Sequence, residues 1–248
     1  MTILDIATCE LRRLFVSPLA WLILALMQFL MAMFFFVILS QYLGSPAIFA
    51  EKGITEIVVA GTFQIAGILL LLIIPFLTMR TFSEEQRTGT IKLLLSSPVP
   101  VTHLVLGKYL GVMLLLLLLL GMMALMPLSL LFGTRLDMGQ LAAIFMAMLL
   151  LMSALTAIGV FVSSLTKQPA IAAISTFGVV FVLWVIHIGG NTGGGRFASV
   201  LSYLSMLRHY NHLLEGIFNT VDIFYYLILI FVFILLSIWR LDALRTHS

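Results

Sequence analysis

The sequence predicts an all-α membrane protein with six transmembrane helices. An N-terminal helix lies at the membrane interface, and further amphipathic helices precede the last span on the outer side. Three observations predict this. Of the 248 residues, 62% are hydrophobic and only 9% are charged, against roughly 45–50% apolar and 25% charged in soluble domains. The apolar residues gather into six runs close to the ~20 residues that cross a bilayer as a helix. Asp, Glu, Lys and Arg fall outside the middles of those runs. No soluble fold hides this much apolar surface, so lipid is the solvent for most of it. Residues 1–248 read as one membrane domain.

Residues 1–18 form the interfacial helix. Ile3, Ile6, Ala7, Leu11, Leu14 and Phe15 recur at helical spacing, with Asp5, Thr8 and Arg12 on the opposite side. Thr2 and Asp5 have the spacing of an N-terminal cap, and Pro18 separates this helix from the next. The run that begins at Leu19 is too long for a signal-peptide core, and no small-x-small cleavage pattern follows it. The first span is therefore expected to be retained.

That span covers about Leu19–Leu39, roughly 32 Å of helix at 1.5 Å per residue, and Gln28 is its one strongly polar residue. Residues 43–56 read as a polar loop. The second span, about Ile57–Thr78, contains Gln64 and ends near Pro75, which lacks a backbone donor and is expected to kink the helix. The third, about Leu104–Met126, contains the leucine run Leu114–Leu120. A loop with Gly133, Arg135 and Asp137 leads to the fourth, about Leu141–Val162. A tight turn at Thr166–Lys167–Gln168–Pro169 leads to the fifth, about Ala170–Ile188. The sixth, about Ile223–Trp239, is short enough that flanking residues are expected to extend it.

Segment 189–222 differs in kind. Gly189–Gly190–Asn191–Thr192–Gly193–Gly194–Gly195 reads as a hinge. Phe197, Val200, Leu201, Leu204, Leu207, Leu213, Leu214, Ile217 and Phe218 then mark one or two amphipathic helices that dip into the outer membrane face or line a vestibule.

Six spans put both termini on one side. Nine Lys and Arg residues lie on that side (Arg12, Arg13, Arg80, Arg87, Lys92, Lys108, Lys167, Arg240 and Arg245), and four lie opposite (Lys52, Arg135, Arg196 and Arg208). The acids divide evenly. The positive-inside rule makes the termini, and the charged segment between the second and third spans, cytoplasmic.

A net charge of +3 with scattered basic residues argues against nucleic acid. The single cysteine, Cys9, excludes an internal disulfide and is expected to be a small packing residue. The spans lack the acids and bases that ion-coupled transporters use as relays. Gln28, Gln64, Ser175 and Thr176, with Thr62, Ser153 and Thr156, are the polar residues of the membrane. They are read as interhelical hydrogen-bonding groups first and as lining of a substrate path second. No P-loop, G-x-S-x-G elbow or Ser-His-Asp arrangement occurs, so no catalytic residues are assigned. His209, His212 and Glu215 could crowd one side of a helix. Their first reading is a polar outer face, with a metal site second. Gly107-x-x-x-Gly111 permits close helix packing.

The specific signal is residues 79–98. Ser83 and Gln86 have capping-box spacing, and Glu84 and Glu85 suit the positive end of a helix. Gly89 interrupts it, so Thr88 is expected to cap a second short helix. Ile91, Leu94 and Leu95 form the apolar side of that helix, and Pro98 stops it. Exposed leucines on a short helix outside the membrane call for a partner.

The run Arg80…Glu84–Glu85–Gln86–Arg87–Thr88–Gly89–Thr90–Ile91–Lys92–Leu93–Leu94–Leu95–Ser96–Ser97–Pro98…Gly107–Lys108 resembles the cytoplasmic segment of permease subunits of type-2 ABC exporters. Glu10–Leu11–Arg12…Phe15…Ser17–Pro18…Ala20–Trp21 and His209–Tyr210…Glu215–Gly216…Asp222…Tyr225–Tyr226 resemble the gliding-motility-associated branch and, more distantly, permeases of nitrous-oxide-reductase maturation. That branch often has a basic residue where Glu215 stands. The resemblance covers nearly the whole chain.

It implies a multi-pass permease of the bacterial cytoplasmic (inner) membrane that exports or extracts a substrate. Residues 79–98 would hold a coupling helix docking on a separate ATPase subunit, with Arg80, Ser83, Glu84, Glu85, Arg87, Gly89, Thr90, Leu94 and Pro98 carrying the contact. ATP and Mg2+ would sit on that ATPase, with no cofactor in this chain. The assembly would contain a second permease copy. His209, Tyr210, His212, Glu215 and Asp222 would face an outer vestibule or a membrane-anchored periplasmic partner. The second reading is a transmembrane scaffold that transmits the ATPase stroke to such a partner without moving a substrate.

Overall fold

The computed structural model describes residues 2–44, 53–96, 99–134, 136–192 and 203–246, and every regular element among them is helical. In chain order the helices are α1 (Ile3–Val16), α2 (Pro18–Gly44), α3 (Ala60–Thr78), α4 (Ser83–Thr88), α5 (Ile91–Ser96), α6 (Val101–Leu130), α7 (Met138–Leu165), α8 (Pro169–Thr192), α9 (Met206–Leu214) and α10 (Thr220–Thr246). A π-helical turn, Thr55–Val59, leads into α3. Six helices are long and apolar enough to cross a membrane: α2, α3, α6, α7, α8 and α10.

Five of the six spans are longer than their apolar runs because the helices continue past the hydrocarbon, whereas the run of the second span begins in the π-helical turn before α3. α6 has 30 residues, or about 45 Å, against a core of roughly 30 Å. Lys108 lies two turns from its start and so near the membrane boundary. α3 runs through Pro75 to Thr78 without a break. The tight turn between α7 and α8 is present, with the Thr166 hydroxyl accepting from the Gln168 amide at 3.0 Å. The sixth span is extended on both sides, as expected.

Two readings need correction. Gly189–Thr192 belong to the last turn of α8 rather than to a hinge; Gly193–Gly195 and residues 196–202 lie outside the described residues, as do Lys52, Arg135 and most of the 43–56 loop. Cys9 is exposed, not a packing residue.

α7 is the central helix. It packs on α3, α6, α8, α9 and α10, and Ala143, Ala147, Ala154, Ala157 and Gly159 let its neighbours approach. A Cβ built at Gly159 would run into the Thr78 side chain, so α3 and α7 cross in close contact there. α2, α8 and α10 expose apolar rows, such as Leu22, Phe29 and Phe36 on α2, as lipid-facing helices do.

α1 begins with a capping box. The Thr2 amide donates to Asp5 Oδ2 at 2.8 Å, and the Asp5 amide donates back to Thr2 Oγ1 at 3.3 Å. The helix lies across the start of α6, where Gly107 and Gly111 open the groove. A Cβ at Gly107 would come within 2.6 Å of Ile6, and one at Gly111 within 2.6 Å of the Glu10 Cβ. The small-residue spacing read from sequence therefore accommodates α1.

The bundle has two distinct ends. At one, α5, the Phe82 turn before α4, the start of α6, the end of α7 and the end of α10 meet around Phe82, Val101, Leu104, Val105, Val160 and Leu241, with α1 packed on α6 beside them. Both termini emerge there. At the other, Ile54 and Val58 pack with Phe35 and Leu136. There the Asp137 carboxylate caps α7 through the amides of Gly139 and Gln140.

Candidate functional site

The charged segment folds back on the terminal end of the bundle as a helical hairpin, α4–Gly89–α5. Gly89 adopts φ +76°, which glycine reaches without strain, and the chain reverses there. The break expected at Gly89 is present, but the second helix starts differently. The Leu94 amide donates to the Thr90 carbonyl at 3.1 Å, so Thr90 heads α5. The Thr88 hydroxyl donates back to the Glu84 carbonyl at 3.0 Å and bonds the Thr90 hydroxyl at 2.9 Å.

The capping box at Ser83–Gln86 does not form. The Ser83 hydroxyl donates to the Met79 carbonyl. The first amides of α4 are instead capped from another helix: Ser163 Oγ accepts from Phe82 N at 3.0 Å and from Ser83 N at 3.1 Å, and donates to the Met79 carbonyl at 3.1 Å. One donor and two acceptors use the full capacity of a hydroxyl. Gln86 Nε2 donates to the Ser164 carbonyl at 2.7 Å. The end of α7 thus holds α4 through consecutive residues.

A charged network fixes the other side. Lys108 Nζ donates to Glu85 Oε1 at 2.5 Å, to the Thr81 carbonyl at 2.8 Å and to Glu10 Oε2 at 3.4 Å, and lies 5.1 Å from the Phe82 ring centre. Arg13 pairs with Glu10 at 2.5 Å, approaches Glu85 at 3.8 Å, and donates to the Arg80 carbonyl at 3.3 Å. Lys108 and Glu10 are buried. Two cations face two carboxylates, so the pocket is neutral overall, which is what makes burial of these charges tolerable. The network joins α1, α4 and α6 to the α3–α4 connection.

The proposed contact residues therefore divide. Ser83 and Glu85 face inward. Leu94 and Ile91 pack on the Phe82 cluster, so the apolar side of α5 covers the protein's own bundle. Arg80, Arg87, Thr88, Gly89 and Thr90 are exposed, Glu84 is half-buried, and Leu93 is 73% exposed. Pro98 lies outside the described residues. The accessible tip is Arg87–Thr90 with Leu93, a residue that helical periodicity did not single out.

At the far end α9 is wedged between α3, α7 and α8. Tyr210 anchors it: its hydroxyl donates to the Phe63 carbonyl at 2.6 Å, and its ring fills the space beside Gly67. Burial pushes the Tyr210 phenol well above its usual range. His209 Nδ1 lies 2.5 Å from Asp222 Oδ1, and its Nε2 lies 2.7 Å from the Tyr203 carbonyl. The ring stacks on Tyr225 at 4.2 Å. His212 reaches Asp222 Oδ2 at 3.5 Å. Glu215 does not join them. It lines a separate recess of about 240 Å³ with Glu56, Gln64 and Asn211. Among the described residues no three His, Cys, Asp or Glu side chains gather as metal ligands.

Among the described residues, most of the polar side chains singled out in the spans are not interhelical bridges. Thr62, Ser153, Thr156 and Thr176 each donate to the carbonyl four residues back in their own helix, at 2.6–2.7 Å. Ser175 is exposed on α8. The Gln28 side chain crosses from α2 to the Met122 carbonyl at 3.4 Å, and the Tyr109 hydroxyl, which was not among those residues, crosses from α6 to the Ser153 carbonyl of α7 at 3.4 Å. Short hydroxyl side chains satisfy themselves locally wherever an i−4 carbonyl is within reach.

A sequence model described as ABC-2 family transporter protein matches residues 4–243. No curated protein matches the chain.

Proposed function

Because the chain belongs to the ABC-2 family of transporter proteins, a family of multi-pass ABC permeases, we propose that it exports or extracts a substrate across the bacterial inner membrane with energy from a separate ATPase. The α4–α5 hairpin is the coupling element, and its tip docks on that ATPase, which holds ATP and Mg2+. Both termini and the hairpin are cytoplasmic, on the strength of nine basic residues against four. A second permease copy completes the membrane part. Within that family we read the chain as a gliding-motility-associated permease, a reading supported by the resemblance of its N-terminal and His209–Tyr226 motifs to that branch.

The observation that carries this reading is the division of the hairpin into a fixed side and a free side. Ser163, Lys108 and Arg13 hold it to three helices, while Arg87–Thr90 and Leu93 stay open to solvent. A lever needs such a division, because a flexible loop would absorb the displacement rather than pass it to α3 and α6. The test is co-purification of the partner ATPase with Leu93→Asp. The variant is expected to keep wild-type thermal stability and lose the ATPase. Full retention of the ATPase by a folded L93D protein contradicts the docking assignment.

A further inference from the structure

A groove of about 920 Å³ lies between the end of α3 and the start of α8, within the roughly 300–1,000 Å³ of small-molecule sites. Its wall is apolar. Phe76, Ile174 and Phe177 line it, and all three are exposed. Its mouth is not apolar: Arg80 and Arg87 stand there with Glu84. Neither guanidinium forms an ion pair with a carboxylate among the described residues, in contrast to Arg13 and Lys108 nearby. The mouth carries one net positive charge. It sits where α3 leaves its apolar run and α8 enters its own, the depth of a lipid headgroup.

We propose that this groove binds a phosphate-headed anionic lipid, with its acyl chains along Phe76, Ile174 and Phe177 and its phosphate between Arg80 and Arg87. Guanidinium groups bind phosphate oxygens through paired N–H donors and are less strongly hydrated than ammonium, which suits a half-desolvated headgroup site. A monoanionic head neutralises the mouth, whereas a zwitterionic one leaves its charge in place. The source is the bilayer leaflet onto which the groove opens. Resting on the permease reading above, the class of substrate the groove admits is a lipid of this kind.

The test is native mass spectrometry of the purified full-length chain in detergent, equilibrated with equal amounts of phosphatidylglycerol and phosphatidylcholine. Preferential retention of phosphatidylglycerol is expected, falling about tenfold in Arg80→Gln/Arg87→Gln, the size of one lost charge-assisted hydrogen bond. Ile174→Trp fills the groove without touching the arginines or the hairpin tip. It is expected to lower retention of both lipids while leaving ATPase co-purification intact. Equal retention of the two lipids, or phosphatidylglycerol retention unchanged in both variants, overturns the proposal. So does a dimer that excludes both lipids and dissociates in I174W, because the groove is then the face of a second copy. Loss of ATPase capture by the wild-type chain with lipid preference intact would instead count against the coupling reading alone.

Discussion

Ser163 Oγ accepts the backbone amide of Ser83 at 3.1 Å, across 80 residues of chain. The cap of α4 is thus supplied by α7 and not by α4 itself. Ser163→Ala leaves the amides of Phe82 and Ser83 without partners in a buried setting. A loss of about 1–3 kcal/mol is expected. Ser83→Ala removes only a donor to the Met79 carbonyl, which Ser163 still serves, and should cost about 0.5 kcal/mol. Unfolding of the two variants in mixed detergent micelles checks the order. A larger cost for S83A would restore the capping box.

Lys108 neutralises Glu10 and Glu85 inside the protein. Lys108→Met leaves two carboxylates facing one arginine and should cost about 3–5 kcal/mol, the range for breaking a buried pair. Adding Glu85→Gln is expected to recover part of that loss, because one uncompensated charge disappears. A double-mutant cycle on thermal unfolding measures the coupling, and simple additivity would show that the two groups do not interact.

Gly159 leaves room for Thr78. Gly159→Ala drives its methyl into the Thr78 side chain, and overpacking of this kind costs about 1–3 kcal/mol. Thr78→Ala in the same chain should relieve the clash only in part, since the Thr78 Cβ is itself within 2.7 Å of the added atom.

Asp5 makes the start of α1 sensitive to acid. The Thr2 backbone amide, and then the Thr2 hydroxyl, hold the Asp5 carboxylate below its usual range. A carboxyl whose folded pKa is depressed stabilises the fold above its unfolded value of about 3.9, and that stabilisation is lost as pH falls through the lower folded value. NMR chemical shifts of residues 3–6 should lose helical character below about pH 4 in wild type. In Asp5→Asn they should not change with pH in that range.

The six spans were legible because burial in lipid needs only long apolar runs, and each run became a helix. Their ends were less legible, since a helix such as α6 carries on into water as long as its backbone stays paired. Gly107 and Gly111 announced a close contact, but nothing local named α1 as the partner. The network of Glu10, Glu85 and Lys108 was invisible for the same reason: Glu10 and Lys108 are 98 residues apart, and no periodicity links them. Local patterns also misled. Ser83 and Gln86 have the spacing of a cap, yet the Ser163 hydroxyl occupies the position that cap would take. Leu94 looked like a docking residue but covers the protein's own bundle, while its neighbour Leu93 faces outward.

The most direct test of the coupling hairpin is site-specific photo-cross-linking in membranes. A benzoyl-phenylalanine at Thr88 or at Leu93 should form an adduct that mass spectrometry identifies as a P-loop ATPase. The same probe at Leu26, on the exposed face of α2, should form none. Adducts to an ATPase from far-end positions such as Glu215, with none from Thr88 or Leu93, would contradict both the docking surface and the topology.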